Sequence, residues 1–167
     1  MSNSKREEIK QQILQWLSQE KQWQVVVSKE EDRKISDYYY FFCKVILSGD
    51  MNCDVGIEKD VDRVNIMVNP VIAQPDASSY KLSPKPDKYM FWIQVRISLA
   101  QMGVNVVAIP NVDDLASLQV NKPIYFDGWS QDKFVEAMLK VTDAVEVAEL
   151  YFKTFAQDMR QRGQKQE

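Results

Sequence analysis

Histidine is absent from the 167 residues of this chain. Its absence excludes Ser-His and Cys-His nucleophile activation in their usual forms and removes the commonest transition-metal ligand. Cysteine occurs twice, as Cys43 and Cys53, so neither a CxxC redox pair nor a four-cysteine zinc site can form from these residues alone. The sequence therefore predicts two buried thiols, no metal site and no cofactor.

Long apolar runs are also missing. The longest uncharged apolar run, Tyr38 to Cys43, has six residues, whereas a membrane-spanning helix needs about 20. The first residues are polar and mixed in charge, without the apolar core of a secretory signal. We therefore expect no membrane partner and a cytoplasmic location.

The chain also lacks an excess of positive charge. The net charge is -3, and the 21 basic residues are scattered along the chain. Broad phosphate binding depends on clustered Lys and Arg, so the sequence predicts no nucleic-acid partner.

The composition that remains is typical of a globular domain, with 45% hydrophobic and 27% charged residues. A chain of this length buries roughly 70% of its unfolded surface without disulfides. We expect one domain over residues 1–163 and a polar tail at 164–167. Residues 70–86 are rich in Pro and Ser and predict either a mobile functional segment or an irregular crossover that covers a sheet edge.

The N-terminal segment has the pattern of an amphipathic helix. Ser4 and Glu7 fit a capping box, and Ile9, Ile13 and Leu17 then recur on one face. Aromatic and β-branched residues next predict four strands, near residues 23–28, 38–47, 52–57 and 64–68. Together they form an antiparallel meander.

The register of the second and third strands follows from their apolar faces. The odd-numbered residues of the second strand carry no charge, whereas its even-numbered set includes Lys44. The odd face must meet the odd-numbered apolar residues of the third strand, so paired residue numbers have an even sum. This register requires an odd-length loop or a bulge around Gly49. Cys43 then faces Cys53 or a close neighbour, and we expect two thiols unless the environment is oxidising.

Residues 87–102 fit two structures. Apolar residues alternate over Phe91–Leu99, as in a strand. The helical alternative rests on Met90, Ile93, Ile97 and Ala100. Pro86 at the beginning of the segment and Gly103 at its end favour the helix.

The last quarter of the chain carries an apolar stripe at spacings of four and three. Its members are Phe134, Met138, Val141, Val145, Ala148, Phe152, Phe155 and Met159. The stripe predicts a helix over about 131–161, capped by Ser130. Such a helix is about 46 Å long, whereas a compact domain of this size is about 40 Å across. Two alternatives stay open: the helix lies entirely on its own domain, or its last turns bind a partner through Phe152, Phe155 and Met159.

Strands at 104–109 and 115–126 complete the order α-β-β-β-β-α-β-β-α, an α+β fold with helices against an antiparallel sheet. This order, and the stretch Pro123 to Ser130 that runs into the last helix, resemble the type III secretion chaperone-like fold of small bacterial and archaeal domains. The strand near 23–28 departs from the usual three-strand meander of that fold. The resemblance implies a homodimer that binds extended segments of a protein client.

Two classes of function follow. The first is a non-enzymatic protein-binding or chaperone-like domain acting as a homodimer, with Phe152, Phe155 and Met159 as the candidate interface. The second is a small-molecule-binding domain, or an enzyme that uses Asp, Glu, Tyr or Lys without histidine. No residue stands out as catalytic.

Overall fold

The computed structural model describes residues 3–27, 37–47 and 51–164. The predicted turn at 48–50 and residues 165–167 of the predicted tail lie outside them. Over the described residues the chain forms α1 (Asn3–Gln19), β1 (Gln24–Val27), β2 (Tyr39–Ile46), β3 (Asn52–Glu58), β4 (Arg63–Val68), α2 (Gln74–Leu82), α3 (Lys85–Gln101), β5 (Asn105–Ile109), β6 (Ser117–Tyr125) and α4 (Gln131–Gln164). This content confirms the predicted α+β class.

The six strands have the order β1-β2-β3-β4-β6-β5, which places β1 and β5 at the ends of the sheet. The β1–β2, β2–β3, β3–β4 and β5–β6 pairs are antiparallel. Cys43 pairs with Val55 and Val45 with Cys53, so the predicted even-sum register is confirmed. The connection between Ile46 and its partner Asn52 has an odd number of residues, which is one of the two predicted alternatives, and a register shift lies between Tyr39 and Phe41.

The chain divides into two compact units, Met1–Met67 with Lys122–Leu139, and Val68–Asn121 with Lys140–Glu167. The single domain over residues 1–163 stays a prediction. In the first unit, the inward face of α1 and the inward faces of β2, β3 and β4 are buried. Trp16 of α1 stacks on Trp129 with ring centroids 5.2 Å apart, and the Trp129 indole N–H donates to Gln12 at 2.8 Å.

In the second unit, the helical alternative for residues 87–102 is confirmed by α3. Gly103 ends this helix with a positive φ of 75°, and its N–H donates to Ala100 O at 2.9 Å. Glycine adopts this left-handed conformation without the steric cost that other residues meet.

Of the two alternatives predicted for residues 70–86, the irregular crossover is wrong over Gln74–Leu82, which form α2. Its prolines do not prevent a helix, since Pro75 lies in the first turn of α2 and Pro86 in the first turn of α3. A proline in the first turn loses only an N–H that has no partner within the helix.

The C-terminal helix α4 begins as predicted. The backbone N–H of Lys133 donates to Ser130 Oγ at 3.3 Å, which is the N-cap bond that the sequence indicates. The helix runs through Gln164, about as far as the apolar stripe extends.

Candidate protein-interaction surface

The inner face of α3 is formed by residues spaced four apart. Phe91, Val95 and Leu99 are all buried, and this spacing places them on one side of the helix. All three belong to the alternating apolar residues that favoured a strand for this segment. In the helix that the structure shows, they form its buried side.

The outer face of α3 is apolar as well. Met90, Ile93 and Ile97, which we call the outer stripe, are 58%, 48% and 53% exposed. These are the residues on which the helix prediction rested, so the helix is confirmed, and the structure shows that this face of it is exposed. A helix with apolar stripes on two opposite sides usually has both of them covered, so the outer stripe is a candidate interaction surface.

Strand β5 lies beside this surface and has an open edge. It pairs with β6 along one side and is a terminal strand in the sheet of the described residues. Its sequence, Asn105 to Ile109, has neither charge nor proline, and Val107 and Ile109 are 48% and 37% exposed. Edge strands that avoid pairing usually carry Lys, Pro or a bulge, and β5 has none of these in its five residues.

A groove of about 380 Å³ separates α3 from β5. Ile93, Ile97 and Ala100 line one side, Val104 and Val106 line the other, and Arg96 contributes a charge. The outer stripe and the groove lie on one face of β5, whereas the exposed side chains of Val107 and Ile109 lie on the opposite face, because side chains alternate along a strand. The outer stripe, the groove and the open edge of β5 between these two faces are together called the α3–β5 surface.

A buried lysine fixes α3 in place. Lys88 is only 8% exposed, and its ammonium donates to the backbone oxygens of Lys81 at 3.0 Å and Asp113 at 2.9 Å. It also lies 5.4 Å from the centre of the Tyr80 ring. Tyr80 in turn donates to Val112 O at 2.6 Å, and burial raises the pKa of its phenol. These bonds join the end of α2, the first turn of α3 and the turn after β5.

The predicted interface residues lie elsewhere in the same unit. Phe152 is 4% exposed, and its ring centroid is 4.7 Å from that of Phe91. Phe155 lies 4.6 Å from Phe91 and 5.6 Å from Tyr80. The chain's own α2 and α3 thus cover these two rings, so neither needs a partner for its burial.

Met159, the third predicted residue, is partly exposed. It lines a second groove, of about 510 Å³, together with Leu82, Arg160 and Arg162. Both arginines are paired within the chain, with Asp76 and Asp87. An interface at Phe152, Phe155 and Met159 stays a prediction.

The two cysteines are unreactive core residues. Both are buried thiols, as predicted, and each faces a valine across the β2–β3 pair, so they are diagonal neighbours. Diagonal side chains are about 7–8 Å apart, which exceeds disulfide reach. Burial raises the pKa of Cys43 to about 12 and also raises that of Cys53, so neither is a thiolate at neutral pH.

Two adjacent acidic residues follow β5. Asp113 and Asp114 are held by the Asn111 carboxamide, which accepts from both backbone N–H groups. Their carboxylates face Lys85 and Lys81 at 3.3 and 3.9 Å. Within the described ranges, no three Cys, Asp or Glu side chains lie close enough together to hold a metal ion.

In the part of the chain that the structure describes, no helix combines the length and the apolar character that crossing a membrane requires.

The fold is of the α+β class, and its most distinctive exposed feature is the apolar α3–β5 surface. The chain belongs to the family described as Uncharacterized conserved protein (DUF2299), which matches residues 9–152. No protein of curated function shows significant similarity to it. Its fold is similar to that of an uncharacterized protein from Methanothermobacter thermautotrophicus, known from a crystal structure. The two share 20% identity over 87% of this chain and 96% of the other, with a TM-score of 0.72.

Proposed function

We propose that this chain is a non-enzymatic protein-binding domain that acts as a homodimer through the α3–β5 surface. The observation that carries the proposal is the outer stripe, an apolar face on a helix whose opposite face is already buried. Single exposed apolar side chains are normal on a protein surface, whereas a contiguous set usually marks an interaction site.

The burial still available supports a stable complex. Five side chains of the surface are about half exposed: Met90, Ile93, Ile97, Val107 and Ile109. Full burial of such a side chain contributes about 1.5–3 kcal/mol. Complete burial of the five half-exposed side chains in a complex would therefore contribute roughly 4–7 kcal/mol per chain. For two chains this stabilisation is about 8–15 kcal/mol, comparable with the 4–15 kcal/mol that association costs.

The charge distribution of the α3–β5 surface favours a second copy of this chain as the partner. A two-fold axis places each residue near its own counterpart, so a self-complementary surface must avoid charge at its centre. The outer stripe and β5 are uncharged, and Arg96 is the charged residue of the groove. The resemblance to the type III secretion chaperone-like fold also supports a dimer, and it adds a protein client to the proposal. The proposal keeps the cytoplasmic location that the sequence led us to expect.

The test compares two Lys substitutions with the unsubstituted chain. Ile97→Lys places a charge in the proposed interface, whereas Leu150→Lys makes a comparable change at a 65% exposed residue of α4. We expect the unsubstituted chain and Leu150→Lys to have twice the 19.4 kDa mass of one chain by light scattering. In Ile97→Lys the dimer dissociation constant should rise by about 100-fold.

Circular dichroism provides the control for folding, because Ile97 is half exposed and its replacement should leave the helix intact. A monomeric unsubstituted chain contradicts the proposal. So does an Ile97→Lys variant that dimerises as well as Leu150→Lys.

A further inference from the structure

The open edge of β5 has a defined hydrogen-bonding polarity. The N–H of Ala116 donates to Ile109 O at 2.8 Å, so the backbone groups of Ile109 are directed toward the β6 side. Backbone groups alternate in direction along a strand. Val107, two residues earlier, therefore also bonds toward β6, whereas Val106 and Ala108 direct their N–H and C=O groups to the open edge.

We propose that β5 pairs with the partner's β5 in antiparallel fashion, with Val107 opposite the partner's Val107. This inference rests on the proposed homodimer and specifies how its two copies join. In this register Val106 lies opposite the partner's Ala108, and both residues of that pair direct their N–H and C=O groups across the interface. The two-fold axis repeats the pair, so every edge-directed group of Val106 and Ala108 is bonded.

The two neighbouring symmetric registers are less favourable. Centring the pair on Ala108 brings the partner's Pro110 opposite Val106, and proline has no N–H to donate. Centring it on Val106 brings Val104 into the pairing, but the Val104 N–H already donates to Leu99 O at 3.2 Å. Only the register centred on Val107 satisfies both edge-directed residues of each copy.

Side-chain alternation agrees with this arrangement. Val106 and Ala108 are half-buried, whereas Val107 and Ile109 are exposed. Since Val106 lines the groove beside α3, Val107 lies on the opposite face of the strand. A two-fold axis through Val107 therefore brings the two outer stripes together on one face and the two Val107 side chains together on the other. Uncharged Asn105 lies opposite the partner's Ile109, and no like charges meet along the strands.

The proposed register can be tested by cross-linking. In the proposed register the two Val107 residues face each other as a non-hydrogen-bonded pair. The Cα atoms of such a pair are about 4.5 Å apart, which is within the range that a disulfide spans. Val107→Cys should therefore give a disulfide-linked dimer on mild oxidation with diamide, reversed by dithiothreitol. Val26→Cys is the matched control, because Val26 is 46% exposed on the other terminal strand, and it should stay unlinked. The native Cys43 and Cys53 are fully buried and should not react.

The outcomes separate this inference from the proposed function. If the unsubstituted chain is a dimer but Val107→Cys does not cross-link, the register is wrong and the homodimer stands. Equal cross-linking of Val107→Cys and Val26→Cys also overturns the register, because it indicates random collision. A monomeric unsubstituted chain overturns both proposals.

A proline substitution gives a second, independent readout. Ala108→Pro removes an N–H that is directed at the open edge, so it should leave the β5–β6 pairing intact. We expect unchanged circular dichroism and a dimer dissociation constant raised by about 10-fold or more. A dimer that is unaffected by Ala108→Pro contradicts the proposed pairing.

Discussion

Lys88→Met tests whether the buried lysine fixes α3 and the surface that this helix carries. The substitution keeps the length and most of the apolar volume of the side chain but removes its ammonium. The backbone oxygens of Lys81 and Asp113 then lose the donor that they share. Lys85→Met is the matched control, because Lys85 lies in the same helix and contacts Asp113 through an exposed ion pair at 3.3 Å.

The expected difference follows from burial. A buried acceptor left without its donor costs about 1–3 kcal/mol. Lys88→Met leaves two such acceptors, but it also removes the cost of desolvating the ammonium. The free energy of unfolding should therefore fall by roughly 2–4 kcal/mol. The Lys85 side chain is 68% exposed, and a solvent-exposed ion pair contributes only about 0–1 kcal/mol.

Urea unfolding followed by tryptophan fluorescence measures both variants. With an m-value of about 2 kcal/mol/M, Lys88→Met should lower the unfolding midpoint by about 1–2 M, whereas Lys85→Met should lower it by less than about 0.5 M. The m-values should not change. A Lys88→Met midpoint equal to that of Lys85→Met would refute the reasoning, because it would mean that the buried ammonium contributes no net stability.

Two further predictions concern packing and pH. A Cβ at Gly56 would lie 2.5 Å from the Tyr39 ring, whereas one at Gly128 would meet only the flexible end of Lys133 at 2.8 Å. Urea unfolding should therefore show that Gly56→Ala lowers the free energy of unfolding by about 1–3 kcal/mol and Gly128→Ala by less than about 0.5 kcal/mol. Equal losses in the two variants would contradict the packing at Gly56. Burial raises the pKa of Tyr80, so its contribution to stability is complete below the ordinary pKa of about 10 and is lost as the pH rises above it. Between pH 9 and about 11 the unsubstituted chain should lose more stability than Tyr80→Phe; parallel losses would show that this phenol does not contribute.

The ends of elements could be predicted because their chemistry is local. Ser130 caps α4, and Gly103 ends α3 with a positive φ. Each of these signals depends on a few neighbouring residues. The β2–β3 register was predictable for a similar reason, since alternation on two adjacent strands leaves one arrangement that buries both apolar faces.

Helix α2 was missed because its composition is typical of a connector. Pro75 lies in its first turn, where proline is tolerated. The Ser79 and Ser83 hydroxyls donate back to the backbone oxygens of Pro75 and Ser79. Serine therefore satisfies its hydroxyl within this helix, although the same residue is common in loops.

The buried side of α3 could not be predicted from periodicity. This helix is apolar on both faces, so the choice between Phe91 and Ile93 for the core depends on what packs against it. The aromatic contacts of Phe91 with Phe152 and Phe155 make that choice. The signal for the outer stripe was nevertheless present, because a segment whose apolar residues fit both the strand and the helix spacing has more of them than one buried face of a helix can hold.

The covering of Phe152 is a non-local feature of the same kind. The sequence left open whether a partner or the chain's own domain covers this residue, and the rings of Tyr80 and Phe91 lie 5.9 and 4.7 Å from its ring. These residues are about 60–70 positions away in the chain, a separation over which pattern analysis has no information.

Sedimentation equilibrium of the unsubstituted chain over a dilution series tests the central claim most directly. The proposed homodimer predicts a mass of twice 19.4 kDa at high concentration, with reversible dissociation on dilution through the micromolar range. A mass of one chain at every concentration, up to the limit of solubility, would contradict assembly through the α3–β5 surface.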